Sequence, residues 1–226
     1  EFRYQPGTTT HGLFYGDFLK DRWTGSDTPG GIPRNWTEKQ DRWSWYWNHE
    51  TTFSPGFYFR SDLKKVSDIY YFRDFDSHNY YRDHYAGSLN RKFERVSFLA
   101  NEQLTSYDST ARLVKEWQSF NLTALGQYTD NLTSPSNDET LQRYPEITLT
   151  GFKQPLFGTR LNWEFTGLYG NYYRTLGERG DVLDVYPKLS LPWTVGEYLQ
   201  ITPVAGFRGT LWDTESTGPA AAGDSA

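Results

Sequence analysis

The rhythm of the chain is its strongest constraint: aromatic-rich segments of alternating polarity are joined by connections that are short, then long, then short again. Successive strand residues point to opposite faces, so such alternation marks sheets with one apolar face and one wet face. The short joints are Gln5 to His11, Ser54 to Gly56, Trp117 to Ser119, Gln154 to Gly158 and Thr194 to Glu197. Between them fall the long ones, near Asp21 to Gln40, Ser67 to Ser106, Asp130 to Arg143, Arg174 to Asp184, and everything after Trp212. No short joint follows another, which gives an up-and-down topology with two unlike ends. Strands of about 9 to 11 residues connected in this way are how a transmembrane β-barrel reads.

Alternate positions support the strands one by one. Leu161, Trp163, Phe165 and Tyr169 share a side opposite Arg160, Asn162, Glu164 and Thr166. Trp43, Trp45, Trp47 and Phe53 oppose Arg42, Ser44, Asn48 and Glu50, and Phe120, Leu122, Ala124 and Tyr128 oppose Ser119, Asn121, Thr123 and Gln127. Leu199, Ile201, Pro203, Ala205, Phe207 and Leu211 oppose Gln200, Thr202 and Arg208. Phe57 to Ser67 mixes Lys and aliphatics on both faces, and Ser88 to Leu104 has no clean period. The reading predicts an all-β, antiparallel up-and-down barrel wall of about ten strands over residues 1–214, followed by a loop or linker tail at 215–226.

Composition is consistent with strands rather than helices in a membrane. A mean hydropathy of -0.76 with 36% hydrophobic residues leaves no run of about 18 apolar residues, as a helical span needs. A barrel strand meets lipid at only every second position, so low hydropathy coexists with 9 Trp, 17 Tyr and 15 Phe, a surplus suited to interfacial girdles. The lack of Cys excludes disulfides, thiolate metal sites and cysteine nucleophiles. A net charge of -5 with scattered cations argues against nucleic-acid binding. The chain has no Met and begins on Glu1 inside a strand-like segment, so it is expected to be a piece of a longer protein with any signal peptide outside it. Both cut edges would otherwise leave backbone groups unpaired in lipid, which makes an arc of a larger barrel the expected form.

The segments DRWSWYWNHE at Asp41 to Glu50 and LKKVSDIYYFRDFD at Leu63 to Asp76 resemble the family of lipopolysaccharide-assembly outer-membrane proteins called LptD, or organic solvent tolerance protein. EFRY at Glu1 to Tyr4, LQRYPEITLTG at Leu141 to Gly151, PLFGT at Pro155 to Thr159, VYPKLSLPW at Val185 to Trp193 and ITPVAGFR at Ile201 to Arg208 follow the same resemblance in order. The resemblance covers nearly the whole chain except Tyr80 to Thr105 and the last dozen residues. It implies a very large barrel in the outer membrane of a Gram-negative bacterium, which inserts lipopolysaccharide into the outer leaflet. The implied partners are lipopolysaccharide, an LptE-like lipoprotein plug, and an LptA-like periplasmic bridge reached through an N-terminal domain outside this chain. The lateral gate is expected to lie outside it too.

No residue set calls for catalysis, a cofactor or a metal. Tyr71, Phe72, Arg73, Asp74 and Phe75 are the candidate loop contacts, either folding into the lumen against an LptE-like plug or, as we favour, holding a long loop through aromatic packing and an Arg73–Asp74 pair. His78 and His84 near Asp74, Asp76 and Asp83 fit no ligand spacing. The carboxylate pairs Glu38 with Asp41 and Asp181 with Asp184 suggest solvating acids in polar loops rather than a glycosidase pair. Lys153, Arg160 and Arg208 are expected to balance Glu146 and Glu164 across neighbouring strands rather than to attract lipopolysaccharide phosphates. A porin-like channel is the alternative with the same rhythm. A soluble all-β carbohydrate-binding module is the less favoured third.

Overall fold

The computed structural model describes residues 2–75 and 104–218. The irregular Ser88 to Leu104 stretch and the residues His78, His84, Asp76 and Asp83 fall outside them, apart from Leu104 itself.

The described chain is all-β apart from short helical turns. In chain order the strands are β1 (Phe2–Tyr4), β2 (Thr10–Asp21), β3 (Gly25–Asp27), β4 (Arg34–Trp36), β5 (Gln40–Ser54) and β6 (Phe57–Val66). A helical turn, α1 (Tyr71–Phe75), precedes β7 (Ser106–Glu116), β8 (Phe120–Asn131), β9 (Gln142–Pro155), β10 (Asn162–Tyr173) and β11 (Gly177–Ser190). The chain then forms β12 (Trp193–Val195), β13 (Leu199–Ile201), β14 (Val204–Gly206) and β15 (Gly209–Thr217). An 11-stranded sheet runs β1-β2-β5-β6-β7-β8-β9-β10-β11-β14 with β15 also on β11, while β3/β4 and β12/β13 are separate two-stranded sheets. The path is open. Because β14 and β15 take successive stretches of β11, they fill one position, and the large sheet has the ten positions expected of it.

Three joints differ from the sequence reading. Arg174 to Asp184 is no long loop: β10 and β11 pair as far as Tyr172↔Gly180, which leaves a joint of Arg174, Thr175 and Leu176. Gly177 makes this tight reversal possible with a φ of 105°, a conformation that costs a side chain dearly. The polar run Glu178 to Asp184 resembled a loop because a strand end beyond an apolar belt is polar too. Past Trp212 the chain stays in strand to Thr217, three residues beyond the expected boundary at 214. The turn at Thr194 to Glu197 exists, but it joins β12 to β13 in their own small sheet and not two strands of the large one.

The irregular β6 is a strand whose ladder is completed by side chains. The Lys64 N–H donates to Ser109 Oγ at 3.0 Å, the same hydroxyl donates to the Lys64 carbonyl at 2.8 Å, and the Val66 N–H donates to the Tyr107 hydroxyl at 3.2 Å. Side chains inserted into the ladder relax the period of two.

The residues divide into two units. The first comprises Glu1–Thr51, Arg60–Ala111 and Tyr128–Thr140, and the second Thr52–Phe59, Arg112–Gln127 and Leu141–Ala226. The first contains the buried apolar cluster of Leu13, Tyr46, Val66, Tyr71, Phe72, Tyr107 and Leu132. The second is dominated by an uncovered sheet.

Candidate functional site: an arginine clamp and an apolar belt

In the first unit β2 and β5 pair over their full common length, which sorts their side chains onto two faces. One face pairs Phe14 with Trp47 and Phe18 with Trp43, and leaves Phe14 and Phe18 exposed. The other carries Leu13, Asp17, Arg42, Ser44 and Tyr46, and onto it packs the segment from Asp68 to Phe75. Tyr71 and Phe72 in α1 are only 3% and 2% exposed. Tyr71 lies edge-on to Phe72 at 5.8 Å and tilted against Phe75 at 5.1 Å.

Arg42 holds this segment down. Its side chain is 1% exposed and forks onto Asp68 with two bonds of 3.0 Å, while Nη1 reaches Asp74 at 2.6 Å and Asp21 at 3.1 Å. Its guanidinium also sits 4.6 Å from the Phe75 ring and 5.0 Å from the Trp36 ring. A cation taken from water needs such partners, since an unpaired one costs several kcal/mol. Beside it the Tyr71 hydroxyl donates to Asp17 Oδ1 at 2.5 Å, and the same oxygen accepts from Ser44 N–H at 2.9 Å and Ser44 Oγ at 2.8 Å. Burial, and then the bond to Asp17, push the Tyr71 hydroxyl well above its ordinary pKa, so it remains a donor.

Arg34 ties a second loop to the first. It lies in the β3/β4 hairpin, pairs with Asp27 across that hairpin through Nε at 2.7 Å and Nη2 at 2.5 Å, and also contacts Asp74. Its guanidinium is 4.5 Å from both the Trp23 and Trp36 rings and 5.1 Å from Tyr70. Cation–π contacts of this kind contribute about 0.5 to 2 kcal/mol each. The Tyr70 hydroxyl donates to the Pro33 carbonyl at 2.6 Å. The hydrogen bond from Arg34 holds the Asp27 carboxyl below the usual carboxylate range, and its carboxylate partners raise the pKa of Arg34.

The candidate loop residues are therefore brought together, with one correction. Asp74 pairs with Arg34 and Arg42, and not with Arg73, whose Nη1 donates to the Ile69 carbonyl. In a single helical turn adjacent residues point apart, so the two cannot face each other. Arg34, Arg42, Asp68 and Asp17 were not singled out from sequence. Alternation placed Arg42 correctly on the non-apolar face but gave no sign that this face would be covered.

The second unit has the opposite character. Registers align Ala124, Ile147, Tyr169, Leu183 and Leu211 in one row, Leu122, Leu149, Gly167, Val185 and Gly209 in the next, and Phe120, Gly151, Phe165 and Pro187 in a third. Trp163, Leu189 and Ala205 form a fourth. Phe165 and Trp163 stack at 5.5 Å, and Phe165 lies against Gly151 so closely that a Cβ there would come within 2.7 Å of its ring. The glycine is the slot for the aromatic.

From Leu183 to Leu191, one residue past the end of β11, the belt runs roughly 26 Å at about 3.3 Å per residue. A tilt of about 40° brings that to around 20 Å, near the height of an outer-membrane apolar band. At its end Asp181 accepts from Tyr169 at 2.8 Å and Asn171 at 2.9 Å.

The reverse face is mostly polar: Thr123, Thr148, Leu168, Asp184 and Thr210 make one row and Asn121, Thr150, Thr166 and Tyr186 another. Among the described residues three ion pairs form there, with other partners than expected: Glu146 and Glu164 do not pair with Lys153, Arg160 or Arg208. Glu164 pairs with Lys188 at 3.3 Å, Arg208 with Asp184 at 2.9 Å, and Glu146 with Arg143 at 3.3 Å. Asp181 and Asp184 lie in a strand rather than a loop and point to opposite faces, so they form no carboxylate pair. Asp41 sits opposite Lys20 at 3.6 Å.

The sequence model of the family described as LptD, LPS transport system D, matches residues 40–225. The chain belongs to this family. The match begins at the first residue of β5 and takes in every quoted segment of the resemblance except EFRY. The chain is also similar to the LPS-assembly protein LptD of Nitrosospira multiformis (strain ATCC 25196 / NCIMB 11849 / C 71), at 26% identity over 183 residues, which is 80% of this chain and 18% of that protein. It thus spans under a fifth of the length of that curated relative.

Proposed function

We propose that this LptD-family chain is an arc of an outer-membrane β-barrel wall that serves lipopolysaccharide transport and assembly in a Gram-negative bacterium, without bond chemistry of its own. The observation that carries the reading is the belt of the second unit. Its apolar rows continue from strand to strand in register and end in polar groups, while the reverse face is mostly polar and charge-paired. A bilayer selects that pattern, because apolar side chains meet lipid at alternate positions and backbone groups must be paired within the wall. The family supplies the cargo. In this reading the protein inserts lipopolysaccharide into the outer leaflet with an LptE-like lipoprotein as plug, and receives it from an LptA-like periplasmic bridge through a domain elsewhere in the protein.

The long joints at 22–39, 67–105 and 132–141, and with them the short joint at 174–176 that shares their end of the sheet, would be extracellular, and the joints at 5–9, 55–56, 117–119 and 156–161 periplasmic. Cys substitutions at Thr28 or Asn137 of the full-length protein should then react with an impermeant thiol reagent on intact cells, and one at Pro55 should not. Labelling at Pro55 alone would invert the orientation. Depletion of the protein should lower surface lipopolysaccharide and admit large hydrophobic antibiotics. Unchanged surface lipopolysaccharide with lost uptake of a small solute would replace this reading with a porin-like channel.

A further inference from the structure

The hairpin of β12 and β13 continues that of β11 and β14 past the end of the large sheet. Lys188↔Gly206, Leu189↔Ala205 and Ser190↔Val204 run without a slip of register into Trp193↔Ile201, Thr194↔Gln200 and Val195↔Leu199. The ladder lapses between them because Pro203 has no N–H with which to return the bond that Leu191 gives to its carbonyl. Leu189 and Ala205 belong to the fourth row of the belt, so alternation places the pairs Trp193–Ile201 and Val195–Leu199 on the same apolar face, two and three rows further out. We infer that this hairpin docks on a phospholipid surface, its apolar face held among the headgroups of the leaflet on the 156–161 side of the wall. The inference rests on the barrel-wall reading above, and gives that wall an anchor at one rim.

Continuity with the belt and the depth of the rings carry the inference. Trp193, Val195, Leu199 and Ile201 are 61%, 46%, 53% and 45% exposed, while Thr194 and Gln200 turn to the other face. Trp193 lies two residues past Leu191, about 7 Å along the strand and about 5 Å in height at a tilt of about 40°, within a headgroup layer of roughly 5 to 7 Å. Trp and Tyr collect at that depth, where the ring meets acyl chains and its N–H or O–H meets water. Tyr198 in the turn is 97% exposed. On a straight course Val195 and Leu199 would stand about 10 Å past Leu191, beyond the headgroups. The break in the ladder at Pro203 is where the hairpin leans to keep them on the lipid. The neighbouring joint offers a ring at the same rim. Asn162↔Ser190 sets residues 156–161 beside the root of the hairpin, and there Phe157 is 94% exposed at a φ of 51°, a left-handed conformation that costs a bulky residue free energy. Burial of the ring in lipid offsets that cost. A strand from another protein fits less well, since β12 and β13 are three residues each and are flanked by Pro192 and Pro203. Glu197 is the only charged side chain from Leu189 to Phe207, so the contact is apolar and calls for no anionic lipid.

The test uses the full-length protein in phosphatidylcholine vesicles, labelled with a fluorophore at Val195→Cys or at Thr194→Cys, with phosphatidylcholine brominated near the headgroup as quencher. Heat-modifiable gel mobility reads folding. Quenching should be at least about twofold stronger at position 195 than at 194, because neighbours in a strand point to opposite faces. Adding phosphatidylglycerol or raising the salt should leave it unchanged. Leu199→Cys, opposite Val195 on the same face, should repeat the result and replaces that variant if it does not fold. Equal quenching at 194 and 195 would overturn the inference, and so would none at either. In the second case, soluble iodide reaching both labels would leave the hairpin in water, and iodide excluded from both would put a protein over it. Quenching that requires phosphatidylglycerol would also overturn it. Each of these results would leave the transport reading standing, since surface lipopolysaccharide on depletion tests that separately.

Discussion

The two units use the same strand alternation for opposite ends. In the first, the face bearing Leu13, Arg42, Ser44 and Tyr46 is covered by Asp68 to Phe75, and its polar groups are sockets for Asp68, Asp74 and Tyr71. In the second, the mostly polar face of β8 to β11 and β15 pairs its charges strand to strand, and the apolar belt on the other face is the surface with continuity. A non-apolar strand face is thus not necessarily a wet one. What separates the cases is whether its charges find partners within the sheet or are supplied with carboxylates by a loop.

The sharpest way to break this contrast is to empty the socket. Arg42→Met leaves Asp21 and Asp68 without their cation and Asp74 with Arg34 alone. Removing one member of a buried charge network costs about 3 to 5 kcal/mol; with the carboxylates about one-fifth exposed, the lower figure is expected. Limited proteolysis should then cut within residues 68–75 while β10 and β11 stay protected. Protection throughout would mean that the clamp does not hold the loop.

Next in size is a charge on the belt. Phe165→Arg should cost about 2 to 4 kcal/mol if the row meets the bilayer midplane, and Thr166→Arg on the reverse face should cost much less. Denaturant unfolding of the detergent-solubilised protein measures both. Equal losses would reject the assignment of faces.

A finer cut separates the two loops from each other. Tyr70→Phe removes the hydrogen bond to the Pro33 carbonyl, worth about 0.5 to 1 kcal/mol at an exposed site. Hydrogen exchange should quicken in β3 and β4 and remain unchanged in β10. Unchanged exchange in the hairpin would show that Arg34 alone fastens it.

The smallest effect is one of pH. Arg34 lowers the Asp27 pKa in the folded hairpin relative to the ordinary 3.8. The pair therefore contributes its stability above that value and loses it as pH falls through the lower, folded pKa. Exchange in β3 and β4 should rise only below about pH 4, and Asp27→Asn should remove the transition. A hairpin equally stable at both pH values would assign its order to Trp23, Trp36 and Arg34 stacking.

Strand identity, alternation of faces and most joints were legible in the sequence, because a period of two is a local property that lipid or core reads residue by residue. The joint at Arg174 to Asp184 was misread for the same local reason, since a polar strand end and a polar loop share a composition. The aromatic loop Tyr71 to Phe75 was legible as a unit, and its internal Arg73–Asp74 pair was not, because helical geometry turns neighbours apart. The sequence by itself determined antiparallel strands with one apolar face, through the spacing of Leu161, Trp163, Phe165 and Tyr169. Only the tertiary structure decided that Arg42 meets Asp68 and Asp74 from 26 and 32 residues away, and that Lys65 meets Asp130 from 65. Those meetings depend on where long connections return to the sheet, which follows from the mutual satisfaction of buried charges and has no period along the chain.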